Sequence, residues 1–554
     1  MCGIHVCLEV VNHFNVTPDC VTASSPLTLE RERLELRKQI AAANLALCRR
    51  GIDSCGKISQ CVNADISVTF CSSILQIRGR QKTVVPLHKS SSRNILAFNG
   101  EIYAHGDQCI VGSDSRWLLD QLEALEGDSV GIIRLFSTLR GPWCIVYWHH
   151  ETRRLWIAKD VIGRRSLLLR LPTSRNQALT ISSVASTPHE GTWIDCPPGI
   201  YSYDSASLLY DSVQRSSHSL VNHAWSDEVT KTLFTFRRGT VSLLQNADNR
   251  MSQVPTYKIS GILHSCFFQS MLWRSLDRAV ESRVLQQSRY TMGGSCTDAH
   301  FGVLFSGGLD CTVLCTLLHK HLRTCETIEL FNVCFNEGRS PDRQAALSAF
   351  RELKLVCVGR NWRLIEVNVS GAELSSMKQY IESLIRPSKS SMDFNIAAAL
   401  WFAARGIGMV DLGTELVPFY SKIRVLVSGQ GADELFAGYS RHRTVFLSFG
   451  QEALSECLRN DFLRIWRRNL SRDDRIFSDH GREVRFPYLD EEVVQVILRS
   501  PLDKIADLSL EKGVGDKKCL RELALHLGLP GTGTKVKRAI QFGSRIRRFE
   551  TQYG

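Results

Sequence analysis

The chain predicts two unlike domains: an α+β half built on antiparallel strands, then an α/β half built on a parallel sheet. Three observations carry this. Between residues 66 and 200, short apolar runs alternate with turns. Residues 205–265 are polar, rich in Ser, Asn and Arg, and weakly periodic, as expected of a linker. From 268 onward helical and strand patterns alternate, which implies parallel strands wrapped by helices. The expected boundaries are 1–204, a linker at 205–265, and 266–554.

Residues 1–15 read as a strand and its exit. Residues 28–48 carry helical spacing in Leu34, Ile40, Leu45 and Leu47. Strands follow at 66–70, 94–98, 143–148 and 154–158. In the second half a helix at 271–284 precedes a strand at 302–305, and further strands are expected at 328–335, 364–369 and 423–427. No internal repeat is visible.

The chain has 554 residues, 44% apolar and 22% charged, a globular composition. Its 19 cysteines lack paired spacing, and Cys311-x3-Cys315 has no second pair to complete a metal site. The first ten residues are too short an apolar run for a secretory signal, and they include His5 and Glu9. Reduced thiols in a cytosolic or nuclear compartment are therefore expected, with a cytoplasmic location taken as the expectation. No apolar run reaches the roughly 18 residues of a membrane span. Net charge is +12, part of it in Lys535, Lys537, Arg538, Arg545, Arg547 and Arg548. No aromatic-interleaved basic motif accompanies these cations. A solvated face, or cations meeting a nucleotide phosphate, is expected rather than nucleic acid.

The first candidate site begins at Met1-Cys2-Gly3-Ile4. If Met1 is removed, Cys2 carries thiol and α-amine on one residue. An α-amine titrates near neutrality and can serve as base for the thiol.

The second is a glycine turn, Ser306-Gly307-Gly308-Leu309-Asp310, between the strand ending at Phe305 and a helix from Cys311 to His321. Glycines allow close backbone approach, and a helix N-terminus adds free N–H groups. This suits a pyrophosphate, with Asp310 beside it as an Mg²⁺ ligand. The lysine of the GxxxxGK[ST] loop is absent. A second strand end, Ser428-Gly429-Gln430-Gly431-Ala432-Asp433-Glu434, matches the first. Asp433 would share the metal, or serve as a plain N-cap.

Taken together, the motifs resemble the glutamine-dependent asparagine synthetases. The likeness rests on the Cys2 terminus, Arg50-Gly51-Ile52-Asp53, Asn99-Gly100-Glu101-Ile102-Tyr103, Gly112-Ser113-Asp114, Asp160 with Gly163, both glycine turns, and 483–490. Gly141-Pro142-Trp143, 438–443 and 537–545 are similar to a divergent subgroup of that family. The resemblance implies an α+β N-terminal-nucleophile glutaminase domain of stacked antiparallel sheets with helices. An α/β parallel-sheet synthetase domain of the ATP pyrophosphatase type would follow. It implies Cys2 as nucleophile, Asn99 and Gly100 as oxyanion hole, and Glu101, Asp114 and Arg78 around glutamine. It implies ATP held by Phe305, Ser306, Gly307, Gly308, Asp310, Cys311, Ser428, Gly429 and Lys537. Gln430, Asp433 and Arg485 would complete the synthetase site, with Mg²⁺ on Asp310 and Asp433. Glutamine, aspartate and ATP are the implied substrates, and a homodimer is an expected assembly.

The chain departs from the family at specific points. Ile74 stands where the family has an arginine for the glutamine carboxylate, and isoleucine cannot make that bidentate pair. Arg78 is the candidate substitute; the alternative is an arginine facing solvent. Gln430 replaces a glutamate that promotes adenylation, and an amide is no base. Cys311 replaces a serine, and Ala539 a lysine that Lys537 or Arg538 would have to supply. Besides asparagine synthesis, two readings stay open: a pseudo-enzyme that binds nucleotide or a partner, and a related ligase that adenylates another carboxylate.

Overall fold

The computed structural model describes residues 2–10, 45–78, 83–89, 91–172, 178–185, 193–209, 220–226, 261–285 and 299–547, with backbone alone at Cys2 and 261–269. The expected helix at 28–48 lies outside these residues except for its helical end at 45–48, as does most of 205–265. The chain divides into two compact units. The first comprises Met1–Asp227 with two later segments, Glu382–Lys389 and Asn469–Arg482. The remainder forms the second.

The first unit contains two six-stranded antiparallel sheets. In one, Cys2–Val10 runs between Ile66–Ile74 and Ala178–Ser182. In the other, Ile95–Gly100 pairs with Trp143–His149, which pairs with Arg154–Lys159. Period-two alternation turns Ile4, Val6 and Leu8 inward, and they share a core with Ile95, Ala97, Val146, Trp148 and Ile157. Each strand expected at 66–70, 94–98, 143–148 and 154–158 has its counterpart. Inside the segment expected as a linker, Leu220–His223 pairs with Gly199–Asp204. Its partial exposure explains why no apolar alternation marks it in the sequence.

A buried carboxylate binds the late segment into this unit. Asp474, on the helix Ser471–Ser478, accepts from Arg50 Nη2 at 2.8 Å, Arg165 Nη1 at 3.3 Å and Ser166 N at 3.1 Å. Burial pushes this carboxyl up, but the two guanidiniums outweigh it and hold Asp474 below the usual carboxylate range. Arg475 donates to the carbonyls of Leu384 and Ile385, at 2.8 and 3.0 Å, which fastens 382–389 as well.

In the second unit, Phe301–Leu304, Thr327–Cys334, Asn361–Asn368, Val425–Val427 and Glu483–Arg485 are parallel neighbours in one seven-stranded sheet. Thr327–Cys334 is buried along its whole length, as a central parallel strand should be. Two strands that the sequence pattern did not announce, Ile407–Asp411 and Leu416–Tyr420, close one edge as an antiparallel hairpin. The outer one is largely exposed and contains Pro418, which an edge strand tolerates.

Connectivity reverses beside Phe301–Leu304. From that strand the chain moves to Thr327–Cys334 on one side, and later returns to Val425–Val427 on the other. Such a switch point leaves a crevice at the carboxyl ends of the two strands.

Replacing Asp474 with alanine would leave two buried guanidiniums without their anion. We expect a loss of about 3–5 kcal/mol in urea denaturation. An unchanged midpoint would show that the pair does not support the unit.

Candidate functional site

In the first unit, backbone register sets Cys2 opposite Ile74. The Cys2 side chain lies outside the described residues. Ile74 lines a cavity of about 30 Å³ together with Gln76, Arg78, Gly100, Glu101 and Asp114. Gly51 presses on the backbone of Ser73 and Ile74, where no Cβ would fit. Asp53 N donates to Ile74 O at 3.1 Å, and Asp53 Oδ2 accepts from Gln76 N at 2.7 Å. The Arg50–Asp53 stretch thus props the wall that carries Ile74.

Asn99 and Gly100 end the strand Ile95–Gly100, opposite Cys144 and Trp143. Asn99 is fully buried. Gly100 has φ +135°, and a side chain there would strike the carbonyl of Pro142, so glycine is obligatory. Asp114 opens the helix Asp114–Ala124; its Oδ2 accepts from Ile102 N at 3.0 Å and its Oδ1 from Ser115 N at 2.8 Å.

Arg78 does not face solvent. It is 8% exposed. Nη1 donates to Ile102 O at 2.8 Å and Asp114 Oδ2 at 3.3 Å, and Nη2 donates to Ile110 O at 2.6 Å. Glu101, Asp114, Gly100 and Arg78 are therefore brought together around one space, with the arginine ion-paired inside the wall.

In the second unit the strand Phe301–Leu304 delivers Phe305, Ser306, Gly307 and Gly308 to the start of the helix Leu309–His321. Gly307, at φ +71°, lies against the backbone of the helix Pro341–Val356 where a Cβ would not fit. Lys535 Nζ ties these elements, donating to Gly307 O and Ala345 O at 3.1 Å each. Cys311 Sγ donates to Gly308 O at 3.3 Å, so the thiol lies within the turn.

The second turn is its neighbour. A Cβ on Gly429 would lie 2.9 Å from Asp310 Cβ. Ser428 is buried, and its Oγ accepts from Gln430 N at 3.4 Å. Arg485 is fully buried, with Nε donating to Glu483 Oε1 at 2.8 Å and a further bond to the carbonyl of Arg283. The structure thus makes Arg485 a strut of the sheet edge.

Asp310 and Asp433 converge, but on a residue the sequence reading passed over. Lys517 Nζ is 2.6 Å from Asp310 Oδ2 and 2.7 Å from Asp433 Oδ1. Lys537 pairs with the other oxygen of Asp433 and lies 4.1 Å over the ring of Tyr439. Tyr439 in turn donates to Glu434 Oε1 at 2.6 Å. Burial and the Asp433 charge push the Asp310 carboxyl up against the pull of Lys517. Burial also pushes Asp433 up, but two ammoniums outweigh it and hold it below the usual range. Burial would discharge Lys517, yet the two carboxylates keep it charged.

The expected Mg²⁺ position between the two acids is thus filled by an ammonium. Two carboxylates and two lysines cancel, so this cluster does not fit a resident divalent cation. Lys517 escaped sequence reading because no loop signature marks it. It reaches the acids from a left-handed backbone position, φ +53°, in a segment with no strand before it. The adjacent turn residues Gly513, Gly515 and Asp516 were the available signal.

The asparagine synthase family profile matches residues 275–450 and 446–532, and that of the glutamine amidotransferase domain matches 72–187. The asparagine synthetase domain-containing protein 1 of Gallus gallus is 32% identical, covering 91% of this chain and 93% of its own. The asparagine synthetase domain-containing protein CG17486 of Drosophila melanogaster is 30% identical over 99% of this chain and 98% of its own. The glutamine-hydrolyzing asparagine synthetase B of Escherichia coli is 22% identical over 89% and 77%.

Replacing Lys517 with methionine would leave two carboxylates facing each other in a buried site. Asp433 would keep Lys537, but Asp310 would lose its ammonium and its folded pKa would rise further above the unfolded one, so stability would be retained in acid and lost as pH rises above about 4. A deficit of about 3–5 kcal/mol relative to the parent is expected near neutrality. Urea denaturation across pH checks this; parallel pH curves for the two proteins would refute it.

Proposed function

Because this chain belongs to the asparagine synthetase domain-containing protein group of the asparagine synthase family, we propose that it is an ATP-dependent amidotransferase that makes asparagine from aspartate. The observation that carries this reading is the adjacency of the two glycine turns at the sheet's switch point, with Asp310, Asp433 and Lys517 between them. Neutral turns rich in N–H groups and flanked by lysines suit a triphosphate.

At the first site the Cys2 thiol adds to the side-chain amide carbon of glutamine. Asn99 Nδ2 and the Gly100 N–H receive the developing oxyanion. The C–N bond breaks, ammonia leaves, and water hydrolyses the thioester to glutamate. Asp114 and Glu101 hold the substrate's ammonium. At the second site the β-carboxylate of aspartate attacks the α-phosphorus of ATP, and pyrophosphate leaves. Ammonia then displaces AMP from the mixed anhydride. Lys517 and Lys537 lie beside the turns that would receive the phosphates. Gln430 can orient a substrate by hydrogen bonds but cannot accept a proton from ammonia. The location proposed is cytoplasmic, and the assembly a homodimer.

The test uses the purified chain with aspartate and Mg-ATP, supplied with either glutamine or ammonia. Asparagine and pyrophosphate should form with both. Cys2→Ala should lose only the glutamine-supported part, and Asn99→Ala should lower that part by about 10²–10³. No product with either donor would overturn the reading. A second reading draws on Gln430 and the closed ion-pair cluster: nucleotide is bound without turnover. ATP-dependent thermal stabilisation with no pyrophosphate across a panel of carboxylates would favour it, whereas pyrophosphate release with another carboxylate would identify a different ligase.

A further inference from the structure

We propose that Cys48 and Cys55 form a redox-active dithiol, which a small-molecule disulfide such as oxidised glutathione converts to an internal disulfide. The inference goes beyond the amidotransferase reading and does not depend on it.

Backbone register and hydrogen bonds bring the two residues to one spot. Cys55 lies on the strand Ser54–Cys61 directly opposite Ser73, so both side chains stand on the same face of the sheet. Ser73 Oγ donates to Leu47 O at 2.6 Å, which sets the residue before Cys48 on that face. Gly51 N also donates to Leu47 O, at 3.0 Å, so the chain turns back between the two cysteines. The two thiols are in hydrogen-bond contact. Cys55 is exposed and Cys48 half-buried. Burial, and then the contact with Cys55, push the Cys48 thiol up. A small disulfide therefore meets Cys55 first, and Cys48 stands ready to resolve the product.

The Cys55 thiolate attacks one sulfur of the small disulfide, whose S–S bond breaks, and one small thiol leaves. The Cys48 thiolate then attacks the Cys55 sulfur of the mixed disulfide. The internal S–S bond forms, and the second small thiol leaves. Two protein thiols are oxidised, one small disulfide is reduced to two thiols, and the two protons end on the departing thiolates. The ring so closed, residues 48–55, contains Gly51, which presses on the Ile74 backbone, and Asp53, which accepts from Gln76 N. Oxidation thus stiffens the prop behind the cavity wall that carries Ile74 and Gln76.

The test incubates the full chain in glutathione buffers from fully reduced to fully oxidised, blocks the remaining thiols by alkylation, and maps the digest by mass spectrometry. The Cys48–Cys55 disulfide should exceed the Cys55 glutathione adduct by about tenfold or more, because neighbouring thiols react at high effective concentration. Dithiothreitol should reverse it, and Cys48→Ser should stop at the adduct on Cys55. The proposal is overturned if Cys55 of the parent stops at the adduct, if neither thiol reacts, or if either pairs with a third cysteine. Hydrogen exchange over residues 72–78 reads the coupling to the wall. It should slow in the oxidised parent and not in Cys55→Ser treated alike; unchanged exchange in the oxidised parent overturns the stiffening. Both readouts are independent of turnover, so a protein that makes no asparagine still decides the proposal.

Discussion

Parallel pairing of Phe301–Leu304 with Val425–Val427 is the constraint on which the second site depends. The two strands are far apart in the chain and become neighbours only when the sheet forms. Parallel register carries both chains out of the sheet on the same side. Each then has to turn within a few residues, and only small residues allow two turns to lie so close. A Cβ on Gly307 would come within 2.3 Å of the backbone at Ala345 and Ala346, and one on Gly429 would lie 2.9 Å from Asp310 Cβ. Move either strand and the acids at 310 and 433 no longer face one another. The chemistry proposed for this unit is therefore a property of strand order before it is a property of side chains.

Both candidate sites share one electrostatic habit. Potentially reactive charges are matched internally, Arg78 by Asp114 and Lys517 by Asp310 and Asp433. Such pairing offsets the cost of burying charge in the unliganded protein. It also means that a ligand competes with an existing partner and does not simply fill a vacancy. Affinity then depends on whether the incoming group interacts better than the one it displaces. A phosphate that drew Lys517 away would leave Asp310 and Asp433 to be compensated in turn.

Local signals in the sequence located what local physics determines. Short apolar runs between turns marked strands of the first unit, and alternating strand and helix patterns marked those of the second. Glycines after a strand marked the turn at 306–308, whereas Asn99-Gly100 stood out only through the family resemblance. Long-range placements were not legible. Gly513 and Gly515 mark a turn near Lys517, but a turn does not say that the lysine crosses to Asp310. Nothing near Arg78 shows that Asp114 and two carbonyls will enclose it, and an exposed arginine would look the same in one dimension. The hairpin Ile407–Tyr420 was missed because its strands are short and half exposed. Arg485 was misleading in the opposite sense. It stands in a motif tied to the synthetase site, yet its guanidinium is spent on Glu483 and a carbonyl.

The helix Ser471–Ser478 comes late in the chain and folds with the early part of it. Its Asp474 is the counter-ion of Arg50 and Arg165. The first unit is consequently not a contiguous cassette. A gene fragment ending at residue 226 would encode two guanidiniums with their anion left on the other fragment. A transplant of this half would need the Asn469–Arg482 segment carried with it.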